Sequence, residues 1–136
     1  MLRELRPLTG RKVVLIFSDG KDERSLISLQ TVIHAAHESS VILFVVALLE
    51  QGEADSAWRD MQSLAEETGG QAFLLRKLEL LRGAYEMVVA HMRAQYVLSY
   101  RPPEGEAGLR PIEVGVTRPG LEVHCRKSYL YTPAPD

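Results

Sequence analysis

Two unbroken apolar runs constrain this chain more than any other feature. "VVLIF" (residues 13–17) and "VILFVVALL" (41–49) are continuous, rich in Val and Ile, and separated by polar and helical sequence. A strand with one wet face would alternate, and these do not. Both read as strands buried on two faces, the pattern of a parallel sheet covered by helices. The β-branched residues argue against helix.

The segments between and after the runs have a different period. Leu26, Leu29, Ile33 and Ala36 recur at helical spacing after Ser25, a residue that can cap, and predict a helix over 26–39. Glu50 to Asp55 reads as a polar loop. Asp55 or Ser56 can cap a second helix with Trp58, Met61, Leu64 and Ala65 on one face. Thr68-Gly69-Gly70 ends it. Residues 71–75 predict a short third strand. Leu78, Leu81, Tyr85, Val88 and Met92 predict a third helix over 78–94, with Gly83 a mild cost inside it. The order strand-helix-strand-helix-strand-helix implies three parallel strands joined by right-handed crossovers.

After Ala94 the period becomes two. "QYVLSYR" (95–101) alternates and stops at Pro102-Pro103. Ile112, Val114 and Val116 alternate with polar residues, as do Leu121, Val123 and Cys125 beyond Arg118-Pro119-Gly120. This predicts an antiparallel hairpin with one buried face. The fold class expected is therefore α/β: a parallel three-stranded unit over 11–94, an antiparallel β-extension over 95–131, and a short tail over 132–136, all in one domain.

Charge narrows the partners. A formal net charge of -2 and a pI near 6.1 give no broad reason to expect nucleic acid or an anionic membrane. The nine-residue run 41–49 is too short to span a bilayer, and residues 1–6 are charged, without the apolar core of a signal peptide. Read as it stands, the chain is expected to be soluble, without membrane insertion; its compartment is unassigned. A single cysteine, Cys125, excludes an intrachain disulfide and a cysteine-based zinc site.

In an open parallel sheet, ligands gather beyond the carboxyl ends of the strands. Asp19 stands there after the first run, with Ser18 before it and Asp22 shortly after. Oxygen ligands in that place suit a hard cation such as Mg2+ or Mn2+. The plainer reading is a turn at Asp19-Gly20 and a helix cap from Asp22 or Ser25. His34 and His37 share a helix face at i, i+3, but lack a third ligand and read as solvent-facing. His91 and His124 have no evident companions. Cys125 reads as a buried hairpin residue, and Trp58, Tyr85 and the tyrosines at 96, 100, 129 and 131 as packing groups. Thr68-Gly69-Gly70 closes a helix instead of opening one, the wrong polarity for a phosphate loop.

Several stretches together are similar to one family. "RKVVLIFSDGKD" (11–22) resembles the fourth strand and following loop of von Willebrand factor type A domains. "SLAEETGGQAF" (63–73), "MRAQYVLSYRPP" (92–103) and "IEVGVTRPGLEVHCRKSYLY" (112–131) resemble the bacterial von Willebrand A-related domain of the acidobacterial type, which adds a C-terminal β-extension. The resemblance covers about residues 10 to 131. It implies a Rossmann-like three-layer fold, a non-enzymatic role in protein binding or adhesion, and frequent export in bacteria. It also implies a metal-ion-dependent adhesion site, in which Asp19 matches the ligand after the fourth strand. The Asp-x-Ser-x-Ser loop of that site occurs nowhere in this chain. The sequence thus reads as the C-terminal half of such a domain, with an incomplete metal site and no further cofactor.

One expectation follows from the missing half. The strand from Val13 to Phe17 would lie at an open edge of the sheet, where apolar strands tend to aggregate. A cover is expected: a homodimer formed across these strands, an N-terminal segment folded back, or the missing N-terminal half itself. The alternative to an interaction domain is a small α/β enzyme centred on Asp19, or a purely structural module. No nucleophile–base pair can be assembled from spacing alone.

Overall fold

The computed structural model describes residues 2–19, 28–49 and 55–133. Its first layer is a parallel sheet of β1 (Lys12–Ser18), β2 (Val41–Leu48) and β3 (Ala72–Leu75), in that spatial order. Lys12 pairs with Val41 and Ser18 with Ala47, while Val45 pairs with Ala72 and Leu48 with Leu75. Only β2 is central. Val41, Leu43, Phe44, Val45, Val46 and Ala47 are all buried, so this run matches the expectation of two covered faces. The other run does not. β1 is an edge strand of mostly half-buried residues, and Phe17 keeps 59% of its surface exposed.

Helices cover both faces. The single turn α1 (Leu2–Leu5), α2 (Leu29–Ser39) and α3 (Asp55–Glu67) lie on one side. There Ala36, Val41 and Leu43 pack with Leu2, Leu5, Val14, Ile16 and Leu64. The same side continues as Ala47 and Leu49 against Trp58, Met61 and Leu74. A 3-10 turn (Leu78–Leu80) leads into α4 (Leu81–Arg93), which covers the other side. Phe44, Val46, Phe73, Leu75, Ala84 and Val88 meet there, flanked by Val13, Leu15 and Met92. Burying large apolar side chains on both faces supplies the main driving force for the fold.

Local signals account for most boundaries. Ser28 caps α2, its side chain accepting from the Thr31 amide at 3.2 Å, and Ser40 closes the helix with a left-handed φ of 51°. The cap expected at Ser25 lies outside the described residues, as do Gly20, Asp22 and the loop 50–54. α3 already begins at Asp55, so the residue in its capping position also lies outside them. Gly69 takes φ +81° to turn the chain out of α3, the role its sequence suggests.

The C-terminal extension departs from expectation. β4 (Gly108–Pro111) pairs antiparallel with β5 (Ser128–Tyr131), outside the alternating stretches. The 112–125 stretch contains no strand, and Val116 and Leu121 are exposed. The register still fits the expected turn. Pairing of Gly108 with Tyr131 through Pro111 with Ser128 continues in an Ile112 amide bond to the Lys127 carbonyl, and projects its loop onto Pro119-Gly120. Residues 95–101 form no ladder, with Tyr96, Val97 and Leu98 among the most exposed apolar side chains. Alternation marks two faces of a strand; it does not supply a layer to cover either one.

Candidate functional site

The carboxyl end of β1 carries the residue that the sequence singles out. Asp19 is exposed directly after the strand, and Ser18 is half-buried beside it. Asp22 lies outside the described residues. Among the described residues, no group of three or more His, Cys, Asp or Glu side chains is placed to hold a metal ion. Magnesium demands near-octahedral oxygen ligation, and Asp19 with Ser18 supplies only a fragment of it. Millimolar Mg2+ or Mn2+ is therefore expected to leave the melting temperature within about a degree, in wild type and Asp19→Ala alike. Ligand binding to the folded state alone must stabilise it. An Asp19-dependent rise of several degrees would overturn this.

The edge of the sheet offers a second feature. An open groove of about 520 Å³ runs between β1 and α4, lined by Val13, Leu15, Val88, Val89 and Met92, with Arg11 and Arg93 at its polar end. Arg11 is anchored there by hydrogen bonds to the Met92 carbonyl at 3.1 Å and to Gln95 Oε1 at 2.8 Å. α1 packs on the opposite face of β1. Among the described residues β1 pairs only with β2, so neither α1 nor any described strand extends the sheet past it.

The histidines assemble elsewhere, at the amino ends of the strands, where the 112–131 arm returns to the body. His37 is buried at 6% exposure, which corrects the expectation that it faces solvent. Its Nε2 lies 3.4 Å from Ser128 Oγ. Burial, and then the Arg126 guanidinium, push its imidazole below the ordinary value. His91 and His124 also gain companions that their sequence neighbours do not reveal. Their rings meet at 5.1 Å, and His91 packs edge-on against Phe44 at 5.2 Å. Burial first, then His124, lowers the His91 value. Cys125 is half-buried in the arm.

This end of the molecule is built as a clasp. Thr68 Oγ1 accepts from the Leu43 amide at 3.0 Å and donates to the Ala65 carbonyl at 2.9 Å. Thr68 also bridges Arg126, while Lys127 reaches Glu66 at 2.9 Å. That hydrogen bond and the one from Gln62 hold the Glu66 carboxyl below its usual range. His37 with Ser128 is a nucleophile–base pair in composition, joining residues 91 positions apart. Yet both side chains are buried, so the hydroxyl is not presented to a substrate. Asp19 stands at the far end of β1, roughly 20 Å away by the rise of a seven-residue strand. Asp19 therefore does not join His37 and Ser128.

No family model matches the sequence, and no curated protein does either. A solved structure is similar in fold: an uncharacterised membrane-spanning protein from Vibrio fischeri, at 16% identity and a TM-score of 0.54. The match covers 61% of this chain and 48% of that one. Among the described residues here, no helix is long and apolar enough to cross a membrane.

Proposed function

We propose that this chain is a non-enzymatic protein-interaction domain of the von Willebrand factor A type, which engages its partner through the edge and α4-side groove of β1. Asp19 is then the remnant of an incomplete metal-ion-dependent adhesion site. One observation carries the reading: among the described residues no strand pairs with the outer edge of β1, which lines an apolar groove through Val13 and Leu15 and leaves Phe17 59% exposed. Unpaired N–H and C=O groups on such an edge favour the addition of another strand. Strand order, helices on both faces and Asp19 at a strand end agree with the family resemblance.

A second copy of the chain is the partner to test first, since two like edges can meet across a two-fold axis. Sedimentation equilibrium at micromolar concentration is expected to show a dimer. Phe17→Lys is expected to weaken it at least tenfold, because burying a phenylalanine is worth about 1.5–3 kcal/mol. A well-folded monomer that persists at tens of micromolar would eliminate self-association.

A further inference from the structure

We propose that the 112–131 arm is held to the body by a histidine latch that opens on acidification. His37 and His91 dock the arm only as neutral rings, and protonation frees it.

The two rings occupy equivalent places. His37 lies in the last turn of α2 and His91 in the last turn of α4, and each faces the arm. His91 is held between Phe44 of β2 and His124 of the arm. His37 faces Ser128 and Arg126 of the arm. A proton on either ring therefore meets a basic group. For His91 this is His124, whose own Nε2 lies 3.6 Å from the Glu122 carboxylate. For His37 it is Arg126, with His34 on its own helix adding to the repulsion. His34 in turn lies 3.8 Å from Glu38. Glu67 of α3 attracts a charged His37, but its effect is smaller than those of burial and Arg126. Glu66, also on α3, is engaged by Lys127. The negative ends of α2 and α4 favour charged rings, yet they act in the docked and released forms alike.

The direction follows from linkage. In the docked form both imidazoles lie below their ordinary value, mainly through burial. Released into water they return to about 6.5. Above about pH 7.5 both rings are neutral in both forms, and docking is unaffected. As pH falls from there through the docked values, the released form binds up to two more protons. Release is favoured over that window and levels off below it. At pH 5.5 the equilibrium shifts by up to about a hundredfold. The remaining clasps, Lys127 with Glu66 and the Thr68–Arg126 bridge, hold the arm at neutral pH. The latch is independent of the β1 edge.

Hydrogen exchange tests it, with protection corrected to the intrinsic rate at each pH. The wild-type Lys127 amide, which ties the arm to the Glu67 carbonyl of the body, is expected to lose about ten- to a hundredfold of its protection between pH 7.5 and 5.5, while β2 amides keep theirs. In His37→Gln/His91→Gln, a doubly neutral arm seat, this amide should be equally protected at both pH values. Unchanged wild-type protection, an equal loss in the double variant, or a parallel loss in β2 would each overturn the latch. Should the double variant fail to fold, NMR titration of the wild-type ring protons decides. His37 or His91 titrating at or above about 6.5 in the docked protein would overturn it.

Discussion

Gly70→Ala is expected to lower the melting temperature by roughly 10 °C, and Gly83→Ala to raise it by about 2–4 °C. The two glycines differ in what surrounds them, not in backbone freedom, since neither has positive φ. A Cβ on Gly70 would land inside contact distance of the Leu43 carbonyl oxygen and 2.7 Å from its carbonyl carbon. Neither side can retreat. Leu43 sits within β2 with its side chain buried and its amide bonded to Thr68 Oγ1 at 3.0 Å. The Gly70 amide is itself bonded to the Ala65 carbonyl at 2.9 Å. Backbone would have to move against backbone, which costs at the upper end of overpacking, about 3 kcal/mol. Gly83 has nothing within 4 Å of an added Cβ and lies on the exposed side of α4. There alanine gains about 0.5–1 kcal/mol of helix propensity. Thermal unfolding of the pair checks both signs. A neutral Gly70→Ala would mean that β3 and the end of α3 are not seated against β2.

The same corner shows what the sequence disclosed. Thr68-Gly69-Gly70 is legible as a helix stop, because glycine after an amphipathic run has few other meanings. Its further tasks are not legible. Thr68 substitutes for a missing strand partner at Leu43, and Gly70 allows the close approach. Both depend on a neighbour some 25 residues away. The parallel unit was readable for the opposite reason: a run such as 41–48 carries its burial in its own composition. β1 carries a similar run but only half the cover, because composition does not say which strand is outermost. In the arm the turn is legible and the ladder is not, since Pro119-Gly120 is local chemistry and pairing is not. The histidine cluster was invisible. Spacing detects partners three or four residues apart on one helix, whereas His91 meets His124 and His37 meets Ser128 only after the arm folds back.

Phe44→Ala is expected to cost about 3–5 kcal/mol, the range for removing a buried aromatic ring. Phe44 has no exposed surface and joins β2 to α4 through Phe73, Leu75, Ala84 and Val88. Ala84 is too small to fill the space from the facing helix, and Phe73 and Leu75 are fixed by the β2–β3 register. The loss should appear in urea as a lower midpoint with an unchanged slope, because the surface exposed on unfolding stays nearly the same. Phe44→Leu, closer in volume, should cost under about 1.5 kcal/mol. The ring also shields His91, its edge-on neighbour at 5.2 Å. Burial is the leading cause of the lowered His91 value, so opening the site to water in Phe44→Ala should return His91 toward its ordinary titration. The acid-sensitive part of stability then shrinks. A half-buried histidine with a lowered value loses stability as pH falls below about 6.5, and relief of burial removes that slope. A Phe44→Ala protein that loses less than about 1 kcal/mol and keeps the His91 titration of wild type would show that α4 collapses onto β2 without it.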